Sequence, residues 1–281
     1  MQLPPISFEF FPPKTDDGRS KLAAARARLL VAKPEYFSVT FGAGGSTREG
    51  TLQTAADIHA EGHKVAPHVS CVGATRDSIR QLLDEYQALG IRKLVALRGD
   101  LPSGYGIGGE FRHAIELVEF IRNQYNDLFE IWVAAYPEYH PQARNAQDDL
   151  AHFVAKMKAG ATGAITQLFF NSDAYFHFVD QVQARGVTQP IVAGIMPIEN
   201  FSSVARFCDR DGAEIPRWMR RKFEGMGDDT ASVRSFATQT VADLVAQLAT
   251  VDCPGIHFYT LNRADPTLAV LAALGHVSSA S

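Results

Sequence analysis

The stretch TRDSIRQLLDEYQALGIRKLVALRGD, from Thr75 to Asp100, holds one complete repeating unit of the fold. Thr75 is an N-cap residue, because its hydroxyl accepts from a backbone N–H that has no partner inside the helix. A helix is expected over Thr75–Leu89, and Gly90 falls where a left-handed residue ends it. Lys93–Leu97 then reads as a short apolar strand. The strand stops at Arg98-Gly99-Asp100, two opposite charges around a glycine. The order is helix, glycine stop, strand, polar tip.

That order recurs in both directions along the chain. Strands are expected at Ile6–Phe10, Tyr36–Phe41, Lys64–Ser70, Lys93–Leu97, Glu130–Ala135, Gly163–Phe169, Pro190–Ile195 and Gly255–Thr260. Helical segments lie between them, among them Lys21–Ala32 and Thr47–Glu61, the second opened by the cap pair Ser46 and Thr47. Ala159-Gly160 and Arg185-Gly186 repeat the glycine stop before the sixth and seventh strands. Strands joined by helices pair in parallel, and eight such units close into a (β/α)8 TIM barrel of the α/β class. An open doubly wound sheet is the alternative. No Pro/Gly/Ser-rich linker divides residues 1–281, so a single domain is expected, with a frayed tail at Val277–Ser281.

Composition narrows the function. The chain has 281 residues, 46% of them hydrophobic and 21% charged, the profile of a globular domain with a large core. A net charge of -4 gives no basic surface for nucleic acid or anionic lipid. Cys71, Cys208 and Cys253 are far apart and odd in number, which suits a reducing compartment. No signal peptide is legible, and no apolar run reaches the ~20 residues of a membrane span. A cytoplasmic protein is expected.

A barrel of this kind carries its active site at the C-terminal ends of its strands. The polar residues there are Glu9, Thr40, His68, Arg98 with Asp100, Tyr136 with Glu138 and His140, Gln167, and Asn262 with Arg263. This concentration on one rim points to an enzyme with a large polar ligand. Glu9 stands in Ser7-Phe8-Glu9-Phe10-Phe11-Pro12-Pro13, a carboxyl among aromatics. Burial there is expected to raise its pKa and make it a general acid; a carboxylate that pairs with an arginine is the other reading. Arg98 offers a planar fork of donors, and Gly99 lets backbone approach a ligand; an Arg98–Asp100 ion pair sealing the rim is the alternative. Gly104–Gly109 has the letters G-x-G-x-x-G but stands too far from the preceding strand for a dinucleotide fingerprint, so a loop over the rim is expected. The prolines of Tyr136-Pro137-Glu138-Tyr139-His140-Pro141 stiffen a ligand wall. Asp149 and Lys156 share a helix face, Lys156 being either a phosphate ligand or a solvated lysine. Gln167 offers both donor and acceptor to a heterocycle. His59 and His63 have a helical metal spacing but no third ligand, so no metal site is expected. With neither nucleophile nor metal, an organic cofactor is the economical source of reactivity.

Seven segments, Ser7–Pro13, Ser38–Ala43, Ala66–His68, Ala96–Pro102, Ala134–Pro141, Ala164–Phe170 and His257–Arg263, together resemble the methylenetetrahydrofolate reductase family, in order and over nearly the whole chain. The resemblance implies an FAD-containing (β/α)8 barrel that reduces 5,10-methylenetetrahydrofolate to 5-methyltetrahydrofolate with NADH or NADPH, for methionine synthesis. It implies a ping-pong relay of hydride through the flavin. By the same resemblance Glu9 would be the general acid at the folate N10, and Asp100 would be the second catalytic residue, near flavin and pterin, tuning the first and steadying positive charge on the second. Thr40, Phe41, Ala43, His68, Arg98, Gly99, Asp100, Ala114, Tyr136, His140, Ala143, Asp149 and Lys156 would contact FAD. Gln167, Phe207 and Arg263 would bind substrate. Phe41 stands where the family often has tyrosine. His152 and Ala155 replace polar and basic residues, and Ser203 replaces a glutamine. The length resembles the bacterial, catalytic-domain-only type, without the C-terminal regulatory region of eukaryotic members, and a homo-oligomer is expected. Another flavin barrel such as a proline dehydrogenase, a flavin-free lyase or aldolase, and a non-enzymatic binding barrel are the competing classes.

Overall fold

A computed structural model describes residues 2–41, 48–99 and 108–278. Eight strands run parallel and close on themselves in chain order: β1 (Ile6–Phe10), β2 (Tyr36–Val39), β3 (Val65–Ser70), β4 (Lys93–Leu97), β5 (Glu130–Ala135), β6 (Gly163–Thr166), β7 (Ile191–Ile195) and β8 (Ile256–Tyr259). The closing pair is β1 with β8, where Glu9 stands beside Tyr259. The barrel expected from the sequence is therefore the fold, and the open sheet is excluded.

The helices are α1 (Asp16–Leu29), α2 (Arg48–Ala60), α3 (Arg76–Ala88), α4 (Ala114–Tyr125), α5 (Ala146–Lys158), α6 (Ser172–Gln183), α7 (Phe201–Asp211), α8 (Arg217–Met226), α9 (Thr230–Ala249) and α10 (Asp265–Ala273). Thr75 closes a capping box on α3: its hydroxyl accepts from Ser78 N at 3.1 Å, and Ser78 Oγ accepts from Thr75 N at 3.0 Å. Gly90 ends that segment with φ of 83°, a left-handed conformation that costs a residue without Cβ little. The first helix begins five residues earlier than the expected Lys21, because Thr15 accepts from Gly18 N and caps it. Between β7 and β8 stand three helices where simple alternation expects one. Among the described residues no helix is long and apolar enough to cross a membrane.

Two cores result from strand alternation. Outward-facing Phe8, Phe10, Phe37 and Phe258 are buried under the helices in one large apolar cluster. Inside the barrel a smaller cluster of Tyr36, Ala66, Val95, Trp132, Ile165 and Val192 packs across the lumen. Polar side chains join this inner set, including Ser7, Ser38, His68 and His257, all buried. Val277, expected to fray, packs against the outer core.

Candidate active site

Glu9 turns into the lumen, where Oε2 lies 3.3 Å from Nε2 of His68 on β3 and 3.6 Å from Nε2 of His257 on β8. Its side chain is 18% exposed, so it meets the barrel mouth. Phe8 and Phe10 do not surround it. Successive residues of a strand point to opposite faces, and these two rings lie under the helices. The expected upward pKa shift is overturned for that reason. Burial, the largest single influence, does push the carboxyl up. The hydrogen bonds and charges of His257 and His68 together outweigh it and hold Glu9 at about 2. Burial pushes the His257 imidazole below its ordinary range, against the pull of Glu9. His257 Nδ1 is 2.7 Å from Ser7 Oγ, and Nε2 is 3.2 Å from Ser38 Oγ. His68 Nε2 is buried without a hydrogen bond of good geometry.

On the next strands, Arg98 donates to Gln142 Oε1 at 2.7 Å and to Gly99 O at 3.2 Å. Gly99 has φ of 88°, and a Cβ there would fall 1.9 Å from Ser70 Oγ, so the turn admits only glycine. Asp100, Ala43, the Ser46/Thr47 cap and most of Gly104–Gly109 lie outside the described residues. Thr40 continues β2 by donating its N–H to Phe10 O at 2.8 Å, and Phe41 packs against the outer core. Ala114 is the first residue of α4.

The loop after β5 forms one wall. Tyr136 and His140 meet edge to face at 4.6 Å. His140 N donates to Asp149 Oδ2 at 2.9 Å, and His140 O accepts from Ala143 N at 2.8 Å. Lys156 is not a solvated lysine: Nζ donates to Ala134 O at 2.7 Å and lies 5.6 Å from the Phe153 ring centroid. Burial lowers its pKa to about 8, against the charge of Asp149. His152 and Ala155 are exposed on the same helix.

Gln167 Oε1 accepts from Leu168 N at 2.8 Å, and Nε2 faces Asp211 Oδ2 at 3.5 Å. Asp211 ends α7, and Glu138 Oε2 accepts from Glu214 N at 2.8 Å just beyond it. These contacts lay the end of α7, the helix of Phe207, against the rim of β5 and β6. Arg210 stacks 5.1 Å from the Phe207 ring centroid and grips Asp211 at 2.6 and 2.8 Å. Ser203 Oγ accepts from Arg206 at 3.0 Å. Arg263 pairs with Glu199 at the rim of β7. Asn262 clamps the backbone of Phe11 by two bonds of 2.9 Å and so fixes the exit of β1. The site thus gathers residues from β1, β3, β5, β6 and β8 at one mouth. His257 and Asp211 were not among the residues singled out above. Alternation back from Tyr259 puts His257 on the lumen face, which was the available signal.

Comparison with known proteins decides the family. A family model described as methylenetetrahydrofolate reductase matches residues 2–275. The chain belongs to the methylenetetrahydrofolate reductase family. This makes it an oxidoreductase. Among relatives, the 5,10-methylenetetrahydrofolate reductase of Salmonella typhimurium is 40% identical over 271 residues, covering 96% of this chain and 90% of that one. The Escherichia coli enzyme of the same name is 39% identical over the same share. An Arabidopsis thaliana methylenetetrahydrofolate reductase (NADH) 1 is 34% identical, covering 96% of this chain but 48% of the plant protein. Among solved structures, an uncharacterized Clostridium thermocellum protein that binds two copies of 5-methyl-5,6,7,8-tetrahydrofolic acid superposes with a TM-score of 0.62. It covers 97% of this chain and 94% of its own at 14% identity, a likeness of fold alone.

Proposed function

We propose that this reductase-family barrel reduces 5,10-methylenetetrahydrofolate to 5-methyltetrahydrofolate with FAD as cofactor and NADH or NADPH as electron donor, in two half-reactions of ping-pong type. The product would supply methyl groups for methionine synthesis, in the cytoplasm and from a homo-oligomer. The observation that carries the reading is Glu9, a carboxylate in the mouth of a family barrel with two imidazoles within 3.6 Å.

The rim suits a flavin dinucleotide. His68 Nε2 is buried, with Glu9 at 3.3 Å its nearest ionic partner and no hydrogen bond of good geometry, so its polar capacity is incompletely met by the protein alone. Lys156 is an amine whose burial disfavours its charge, and an anionic diphosphate would restore it. Thr40, Phe41, His68, Arg98, Gly99, Ala114, Tyr136, His140, Ala143, Asp149 and Lys156 would hold the group, with Ala43 and Asp100 assigned on sequence alone. When bound, the flavin supplies hydride transfer from nicotinamide to folate. Gln167, Phe207 and Arg263 would hold the substrate. Gln167 presents its amide NH2, because Leu168 N occupies its oxygen. Glu9 would deliver a proton to the folate N10 and so open the one-carbon bridge. A ligand closing over the mouth removes water from Glu9, which favours the protonated form the step requires.

The test is an anaerobic titration of the flavin-loaded protein with NADH and with NADPH, followed by methylenetetrahydrofolate. Bleaching by a nicotinamide and reoxidation by the folate are expected; bleaching without reoxidation refutes the assignment. Glu9→Gln should leave flavin reduction unchanged and slow the folate half-reaction by about 10²–10⁴-fold, the usual worth of a general acid.

A further inference from the structure

A buried ammonium lies beneath this site. Lys93 opens β4, and its side chain, 13% exposed, turns into the N-terminal half of the barrel. Nζ sits 4.4 Å from the ring centroid of Tyr36 and 4.4 Å from that of Trp132, a cation held between two π-faces. Glu130 Oε2 reaches it at 3.1 Å from the solvent side. The Tyr36 ring stacks on the His257 imidazole, with centroids 6.0 Å apart and planes 18° apart. His257 Nε2 lies 3.6 Å from Glu9 Oε2. A column of touching groups therefore runs from the floor of the barrel to the carboxyl at its mouth.

We propose that Lys93 is a positioning residue for the reaction: its charge, held against the Tyr36 ring that stacks on His257, disfavours a positive charge on that imidazole and so loosens the hold of His257 on the ionised form of Glu9. The inference rests on the reading of Glu9 as the acid. A protonated His257 would face Glu9 as an ion pair and hold the carboxyl ionised. A second cation inside a lumen that already contains an ammonium is disfavoured, because little water screens the two. The groups that face His257 are Glu9 from β1, Tyr36 from β2, His68 from β3, Lys93 from β4 and Tyr259 from its own strand, with Glu130 of β5 acting through Lys93. Burial, His68 and Lys93 all favour neutral imidazole, and Glu9 opposes them. In the neutral form the network assigns Nδ1 as acceptor from the Ser7 hydroxyl, so that Nε2–H points to Ser38 and Glu9.

The test is an NMR titration of the His257 ring in the ligand-free protein, joined to half-reaction kinetics. Lys93→Met keeps the aliphatic bulk, and should raise the His257 midpoint by about one pH unit. Lys93→Arg should restore the wild-type midpoint. Glu130→Gln, at an exposed position, should move the midpoint the other way by unmasking the ammonium; it carries the test alone if the methionine variant does not fold. In kinetics, Lys93→Met should slow the folate half-reaction about tenfold with a displaced pH profile, leave flavin reduction unchanged, and be rescued by Lys93→Arg. An unmoved midpoint in every variant that folds overturns the inference, as does a moved midpoint with an unchanged folate half-reaction. Failure of the folate reading itself is distinguishable, since wild type would then show no folate turnover while the midpoint shift survived.

Discussion

Phe8 and Phe10 leave β1 on one side, and Ser7 and Glu9 leave it on the other. The two sets lie within the five residues of β1 and belong to different environments. Phe8 stands between Phe37 and Phe258, with ring centroids 6.2 and 6.0 Å away, in a layer made mainly of apolar side chains. Glu9 stands among imidazoles and hydroxyls, and Ser7 bonds the same His257. The outer layer gains mainly from water exclusion, which is non-directional and tolerant. The lumen depends on hydrogen-bond geometry, where each removed partner strands another. Stability is thus concentrated between barrel and helices, and reactivity inside the barrel.

Three substitutions test that division. The largest effect on stability belongs to Phe8→Ala, which empties a fully buried position of the outer layer. It should cost about 3–5 kcal/mol, read as a lower denaturation midpoint in urea, with the fold and site otherwise retained. A loss under 1 kcal/mol would deny the outer layer its role.

Next comes Glu9 in acid. Its pKa is held at about 2 against an ordinary 4.5, so the ionised form stabilises the fold fully above 4.5 and loses that contribution as pH falls towards 2. Glu9→Gln should be less stable than wild type by roughly 2–3 kcal/mol at neutral pH, and the gap should close across this window. Urea unfolding at a series of pH values measures it; a constant gap would show that the histidines do not hold the carboxylate.

The smallest effect is expected at Lys156. Burial lowers its pKa to about 8 from 10.5, so the unfolded chain binds the proton more tightly, and stability rises with pH between those values. Lys156→Met should remove that rise. At neutral pH it should change the stability of the flavin-free protein by only about 1 kcal/mol in either direction, the lost bond to Ala134 O offsetting the relieved burial of charge. If the rim residues serve a ligand, its affinity for FAD should nevertheless fall. Equal affinity in the variant would remove Lys156 from the site.

The strands were legible because each is a short apolar run ended by polar residues, and the observed β1, β4 and β5 have the expected bounds. Thr75 and Gly90 were legible because caps and left-handed stops are local chemistry. The rim position of α7 was not, since an amphipathic helix carries no mark of whether it covers the barrel wall or lies along the rim. The rim position of Lys156, bonded to a carbonyl of β5, was left open for a similar reason.

By itself the chain determined the barrel and the polar character of its strand ends, since both follow from periodicity and the position of strand ends. Tertiary structure decided the charge of Glu9. Its neighbours in sequence, Phe8 and Phe10, point away, while its neighbours in space come from His68, 59 positions on, and from His257 at the other end of the chain, brought beside β1 only when β8 closes the sheet. A pKa is set by what lies within a few ångströms, and ring closure is what brings those groups there.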